Sequence, residues 1–335
     1  MAPLTATDIL SAATNSVAQA VSAHIPGAAV GVVTTSGDRA VEVFGLAQRE
    51  PEAAPMHRGT WFDLASLTKV LFTTPQILHL VADGRIGLDD KLTAAIPDLR
   101  QYDADAAERR LTFRQCLSHQ THLPAVEPLY TYGLEPMTLR AFILQRVWQH
   151  GAPVYSDINF MLLGIAIERL TGCPLSELPL PPGLTWRPEP VNSAATERCT
   201  WRGRVMRGEV HDENAFALGG AAGHAGLFGT IDGVLDALQH LLQGVEPWLA
   251  EVRIRQSATR CLGWEARYEG WSGGNACSDE TIGHTGFTGT GVWIDFKHGL
   301  AWALLTNRVH PTRHRDTGIA SLRPRIGEQI VGAVL

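Results

Sequence analysis

Lysine is nearly missing from this chain. Only Lys69, Lys91 and Lys297 occur, against 25 arginines. No basic run exceeds a few residues and the net charge is −6, which excludes a nucleic-acid footprint and argues against an anionic membrane surface. No apolar stretch approaches the roughly 18 residues that span a bilayer. The N-terminus lacks the positive start and unbroken apolar run of a secretory signal, and its first basic residue is Arg39. Cysteine is sparse, odd in number and scattered (116, 173, 199, 261, 277), with no pair at zinc-ligand spacing. That suits free thiols in a reducing compartment. Unless a leader has been removed, these absences lead us to expect a cytoplasmic protein with a small-molecule partner and no metal or other cofactor.

What remains is ordinary globular composition, 45% apolar and 19% charged over 335 residues. The length suits one large or two moderate domains. Residues 5–23 read as an amphipathic helix ended by Pro26-Gly27. AAVGVVTT and RAVEVFGLA, joined by Ser36-Gly37-Asp38, read as a hairpin. From Leu64 to about Glu251 the pattern is mainly helical. It includes KVLFTTPQILHLVADG, KLTAAIPDL, MTLRAFILQRVWQHG and NFMLLGIAIERLTG, the last two expected to end at glycine. A further helix covers about 231–243. Strands return at CLGWEARY, GTGVWIDF and LAWALLTN, and a helix covers about 316–334. Strands at both ends most simply pair into one sheet. The expectation is therefore an α+β fold, an antiparallel sheet flanked by helices. Residues 1–64 and 255–335 form the body, and 65–254 form an inserted helical domain.

One of the three lysines follows a serine by one helical turn, in DLASLTKVLF at the edge of the insertion. Ser66 and Lys69 project from one helix face. A helix N-terminus near Ser66 offers amides to developing negative charge. A lysine neutralised by burial can serve as the base that a serine nucleophile requires. Such a pair still lacks a proton relay and a second oxyanion donor. Tyr155 in Tyr155-Ser156-Asp157 can supply the first, and the glycine-rich segment GHTGFTGTGVWIDF the second. Taken singly, Tyr155 reads as a packing residue and the glycine segment as a turn.

Together, Ser66-x-x-Lys69, Tyr155-x-Asp157 and His284-Thr285-Gly286 resemble the three motifs of the serine β-lactamase and penicillin-binding-protein superfamily. The order and separation agree. So do TWFDLASLTK, LTFRQCLSHQTHLPA and GEVHDENAFALGGAAGHAGLFGT, so the likeness runs nearly end to end. It is nearest the branch of class C β-lactamases, DD-peptidases, D-aminopeptidases and β-lactamase-like carboxylesterases. The resemblance implies a β-lactamase/transpeptidase-like fold. It also implies that Ser66 is acylated, that Lys69 and Tyr155 share proton transfers, and that the Ser66 and Phe287 amides form the oxyanion hole. Asp157, His284, Thr285 and Gly286 would meet the substrate.

Two departures matter. Asp157 stands where asparagine is frequent. Facing Lys69, it would favour the ammonium and leave Tyr155 as a phenolate base; alternatively it caps the next helix. His284 stands where class C β-lactamases carry lysine, which weakens a fixed positive charge at neutral pH. A rival serine, Ser272 in Gly270-Trp-Ser-Gly-Gly274, matches a nucleophile elbow but lies in a polar loop with no helix after it. His211-Asp212-Glu213 and His224 carry metal-ligand chemistry, but three consecutive residues cannot face one point. His119 and His122 read as loop residues, and Trp61, Trp264 and Trp293 as core or pocket wall. The leading expectation is an esterase or amidase of small esters or D-amino-acid peptides. The alternatives are a β-lactamase or DD-carboxypeptidase, and a catalytically silent module.

Overall fold

In a computed structural model, which describes residues 4–133 and 135–335, the two ends of the chain build one antiparallel sheet. The first end supplies α1 (Ala6–Ala23), β1 (Gly27–Thr34), β2 (Arg39–Gln48), β3 (Ala54–Pro55) and β4 (Phe62–Asp63). The middle contains α2 (Thr74–Ala82), α3 (Phe113–Leu117), α4 (Pro136–Gln145) and α5 (Asp157–Thr171). It continues with β5 (Leu184–Thr185), β6 (Ala195–Cys199), β7 (Arg204–Arg207), α6 (Glu213–Ala217), β8 (Phe228–Gly229), α7 (Ile231–Leu242) and α8 (Leu249–Arg253). The second end adds β9 (Glu265–Ala266), β10 (Thr281–Thr285), β11 (Gly291–Asp295), β12 (Leu300–Thr306) and α9 (Ile319–Gly332). The strand order is β3-β2-β1-β12-β11-β10-β9, and Val30 opposite Leu304 lies in the β1–β12 pair that joins the ends.

Period-2 alternation sends successive side chains to opposite faces. Ala28, Val30 and Val32 of β1, with Leu300, Trp302 and Leu304 of β12, pack against apolar residues of α1 and α9. Ala29, Val33, Ala301, Ala303 and Leu305 face the other core, which takes in α7 and the inserted helices. Both faces are covered, so these strands read as unbroken apolar runs. α7 comes close because β1 carries Gly31, where an added Cβ would stand 2.7 Å from Leu235 Cδ1. We take 1–64 with 255–335 as one body and 65–254 as the insertion, except that α7 packs on the sheet. No described helix is long and apolar enough to cross a membrane.

The middle is not purely helical. Its β5 and β8 join β4, at the edge of the body, in the small sheet β4-β8-β5, and it holds the hairpin β6-β7; these strands are too short for periodicity to register. KLTAAIPDL forms only a 3-10 turn at Leu92–Ala94, close before Pro97. α4 stops at Gln145 rather than at Gly151. Arg146 turns extended there and lays its guanidinium over Phe142 and Trp148, at 4.9 and 5.3 Å. CLGWEARY pairs only at Glu265–Ala266, because Gly263 takes a left-handed φ of 78° just before it. α5 does end as expected, on Gly172 with φ 71°.

Candidate active site

Ser66 lies between β4 and the helix that follows. Asp63 Oδ1 accepts the Ala65 N–H at 2.8 Å, a side-chain-closed turn. Ala65 then takes φ 47°, a left-handed conformation that costs a non-glycine residue energy and that clusters at functional sites. Asp63 Oδ2 accepts the His211 N–H at 2.6 Å. Burial raises the Asp63 carboxyl above its ordinary value while these amides oppose the rise. The helix begins at Leu67 and makes one π turn, Lys69–Thr73, before α2; such turns recur at functional sites.

Lys69 is fully buried. Lys69 Nζ donates to Ser66 Oγ at 2.9 Å and His224 O at 3.0 Å, and forms an ion pair with Asp157 Oδ1 at 2.9 Å. Burial pulls its pKa down, but Asp157 and Tyr155 outweigh that and hold it above the ordinary lysine value. The lysine therefore rests charged, the state expected if Asp157 faces it. The Tyr155 ring centre lies 5.0 Å from Lys69 Nζ, and its phenol feels both Lys69 and Ser66. Burial raises its pKa, Lys69 opposes and Asp157 adds, and the net is a neutral phenol rather than the phenolate considered above. One proton must leave this cluster before the Ser66 hydroxyl has a base.

Asp157 faces Lys69 and does not cap α5. Ser156 holds the cap position, and its Oγ donates to Pro124 O at 2.6 Å. His119, read as a loop residue, is buried with φ 56°. Its Nδ1 accepts the Ser156 N–H at 3.0 Å, so the proton sits on Nε2, and its ring lies 4.4 Å from that of Tyr155. Burial and Arg260 keep its pKa well below the ordinary histidine value.

β9 pairs only with Ile282 and Gly283, so His284 and Thr285 border the cleft beyond it. His284 Nδ1–H donates to Thr285 O at 2.9 Å, leaving Nε2 bare. Burial and Arg260 hold this imidazole well below its ordinary pKa, so it carries no charge at neutral pH. At Gly286 an added Cβ would meet Thr290 Oγ1 at 2.1 Å and Leu64 O at 2.6 Å. Only glycine lets this turn lie against the segment before Ser66. Thr288 Oγ1 donates to Asp63 O at 2.7 Å and Thr290 Oγ1 to Leu64 O at 3.1 Å, tying the two together. Among the described residues, neither the Ser66 nor the Phe287 amide N–H has a hydrogen-bond partner. Two open amides beside a hydroxyl can receive an oxyanion.

Ser66, Tyr155, Asp157, His284, Thr285, Gly286 and Phe287 thus border one cleft of about 670 Å3. Sequence reasoning missed its arginines: Arg260, Arg308, Arg313 and Arg323 line the same cleft, with Asp212, Glu213 and Glu265 among them. The arginines come from loops and α9, and only tertiary folding brings them to Ser66. Arg260 lies over the Tyr155 ring, 5.1 Å from its centre. Ser272 forms a link toward it. It accepts Trp293 Nε1–H at 3.2 Å and donates to Glu265 at 3.4 Å, and Glu265 stands 3.5 Å from Arg260. The metal-like residues are engaged with protein groups. His224 Nε2 meets Asp212 at 3.0 Å, His211 meets Glu197 at 3.3 Å, and Asp212 caps α6. Trp264 and Trp293 are core, and Trp61 is partly buried.

A family model described as Beta-lactamase matches residues 13–323. An N-acetylmuramyl-L-alanine amidase of Bacillus subtilis (strain 168) is 33% identical over 308 residues, covering 77% of this chain and 70% of the relative. A "Putative D-alanyl-D-alanine carboxypeptidase" of Escherichia coli (strain K12) is 30% identical over 304 residues, covering 75% and 70%. Among solved structures, a β-lactamase from Sulfitobacter sp. EE-36 superposes with TM-score 0.76 at 20% identity, over 98% of both chains. EstCE1, a hydrolase with promiscuous acyltransferase activity, superposes with TM-score 0.73 at 20% identity, also over 98% of both. These two share the fold.

Proposed function

The chain belongs to the Beta-lactamase family and is a hydrolase of the serine β-lactamase type, and from that premise we propose that it cleaves small amides and esters, D-amino-acid peptides foremost, through an acyl-enzyme on Ser66. The observation that carries the reading is the Lys69 Nζ–Ser66 Oγ contact of 2.9 Å beside two open amides.

With one proton removed from the Lys69–Tyr155 pair, the Ser66 hydroxyl passes its proton to that pair as Oγ attacks the carbonyl carbon. The carbonyl oxygen gains the negative charge and takes hydrogen bonds from the Ser66 and Phe287 N–H groups. The pair then returns the proton to the leaving nitrogen or oxygen, and an ester remains on Ser66. Water repeats the sequence, its proton taking the same route, and releases the carboxylic acid.

Amide substrates are favoured because the two curated relatives are named for amide cleavage. A carboxylate on the substrate is favoured by the cleft's arginines. Arg313 is engaged by Glu197 and Glu213, whereas Arg308 spends only its Nε, on Phe287 O. The five cysteines, all unpaired, support a reducing compartment. The test compares kcat/KM for a D-alanine p-nitroanilide peptide, p-nitrophenyl butyrate and nitrocefin, with Ser66→Ala as blank. Turnover of the anilide and the butyrate ester above that of nitrocefin, abolished in the variant, supports the proposal. Preference for nitrocefin makes the protein a β-lactamase instead.

A further inference from the structure

The peptide unit that carries the Phe287 N–H is gripped from its other side. Its carbonyl, Gly286 O, accepts Arg323 Nη2 at 2.7 Å and Gly289 N at 3.1 Å. The same Nη2 donates to Thr290 O at 2.7 Å, and Thr290 O also accepts Gly286 N at 2.9 Å. Arg323 stands on α9, far in sequence from the turn it holds. A trans peptide is planar, with its C=O and N–H pointing in opposite directions. Fixing Gly286 O therefore fixes where the Phe287 N–H points. The next carbonyl, Phe287 O, is held by Arg308 Nε at 2.9 Å. Guanidinium bonds to carbonyls are charge-assisted and stronger than neutral ones. They also polarise the peptide, making its N–H a better donor.

We propose that Arg323 is the positioning residue of the oxyanion hole, aiming and polarising the Phe287 amide through the shared Gly286–Phe287 peptide. This rests on the reading of Ser66 as nucleophile and adds a residue on which that reading depends. Arg323 does not touch substrate carbonyl or nucleophile in this role. Burial lowers its guanidinium only to about 10, so it stays charged at working pH. Two carbonyls converge on one nitrogen, an arrangement the longer reach and planar fork of arginine allow and a lysine ammonium reproduces poorly.

The test uses the full chain with Arg323→Met and Arg323→Lys. Four quantities are measured: kcat and KM for p-nitrophenyl butyrate, the inhibition constant of phenylboronic acid, and the melting temperature. Boronate forms a tetrahedral anion on a serine and reports the oxyanion hole directly. We expect kcat to fall about 10- to 100-fold, somewhat less than the loss of a whole oxyanion donor. KM should stay near the wild-type value, and boronate affinity should fall by the same factor as kcat. Arg323→Lys should recover part of both. A merely structural arginine would lower the melting temperature and leave kcat per acylatable Ser66 and boronate affinity unchanged, which overturns the proposal. Should Arg323→Met not fold, Arg323→Lys keeps the buried charge and carries the same comparison. Failure of the wild type to acylate at Ser66 or to bind boronate would instead overturn the nucleophile assignment, and this inference with it.

Discussion

Asp157 and Lys69, 2.9 Å apart, set the charge of the whole site. Asp157 raises the pKa of both Lys69 and Tyr155. Asp157→Asn removes that effect, so both pKa values drop and the deprotonated pair appears at lower pH. The acidic limb of the kcat/KM profile should therefore move to lower pH; an unmoved limb would mean Asp157 does not control the base. Ser66→Ala should lower kcat on the order of 10^4-fold or more, as removal of a nucleophile does elsewhere. Ser272→Ala breaks only the link from Trp293 to Glu265. It should reduce stability by about 1 kcal/mol, read by urea denaturation, and leave kcat of the same order. Equal loss in both variants contradicts the assignment. At this scale the sequence was most informative where chemistry is local. Ser66 and Lys69 are three apart, and His284 to Phe287 are consecutive. It anticipated the effect of Asp157 on Lys69 but was silent on Arg260, Arg308 and Arg323, which reach the cleft from distant segments. The side-chain turn at Asp63, an aspartate two residues before a strained alanine, was a readable signal that went unread.

The helix α5 and the loop that carries His224 meet through two glycines. At Gly223 an added Cβ would lie 2.0 Å from Phe160 O and 2.9 Å from Gly164 N, both backbone atoms that cannot give way. Gly223 O accepts Thr73 Oγ1 at 2.6 Å, and the next carbonyl, His224 O, is an acceptor for Lys69. Gly223→Ala should thus shift this loop, destabilise by about 1–3 kcal/mol or more, and lower kcat. Gly172→Ala supplies the contrast. Its φ of 71° makes alanine strained, but nothing lies within 4 Å of the new Cβ. It should cost about 1–2 kcal/mol of stability with kcat intact. Urea denaturation and steady-state assays on both variants check this, and equal kcat in both would contradict the coupling. Long periodic elements such as β1, α5 and α7 were legible because one residue period fixes the buried face. Short ones were not. The 3-10 turn at 92–94, the two-residue β9 and the early stop of α4 turn on single residues, Pro97, Gly263 and Arg146, rather than on a residue period.

The chain carries −6 overall, and its cleft is lined by four arginines and four carboxylates, Asp157, Asp212, Glu213 and Glu265. Each carboxylate has a basic side-chain partner, whereas Arg308 spends only its Nε on a protein acceptor. An ester bearing a carboxylate should therefore be turned over with higher kcat/KM than its neutral isostere. That advantage should shrink as salt rises, since the Debye length falls from about 10 Å at 0.1 M to about 3 Å at 1 M. A salt-independent ratio would mean the arginines serve structure alone. The joining of strands from both chain ends was legible from their spacing along the sequence, and the resemblance of three motifs tied that outline to a known architecture. The arginine cleft was not legible, because it exists only once α9, the 255–268 segment and the loop after β12 converge. The account stands most directly on one covalent bond. Rapid quenching during turnover of p-nitrophenyl butyrate, followed by intact mass and peptide mapping, should find a butyryl group on Ser66. The adduct should persist in Ser272→Ala and vanish in Ser66→Ala. Turnover without an adduct on Ser66, or an adduct on another residue, would contradict it.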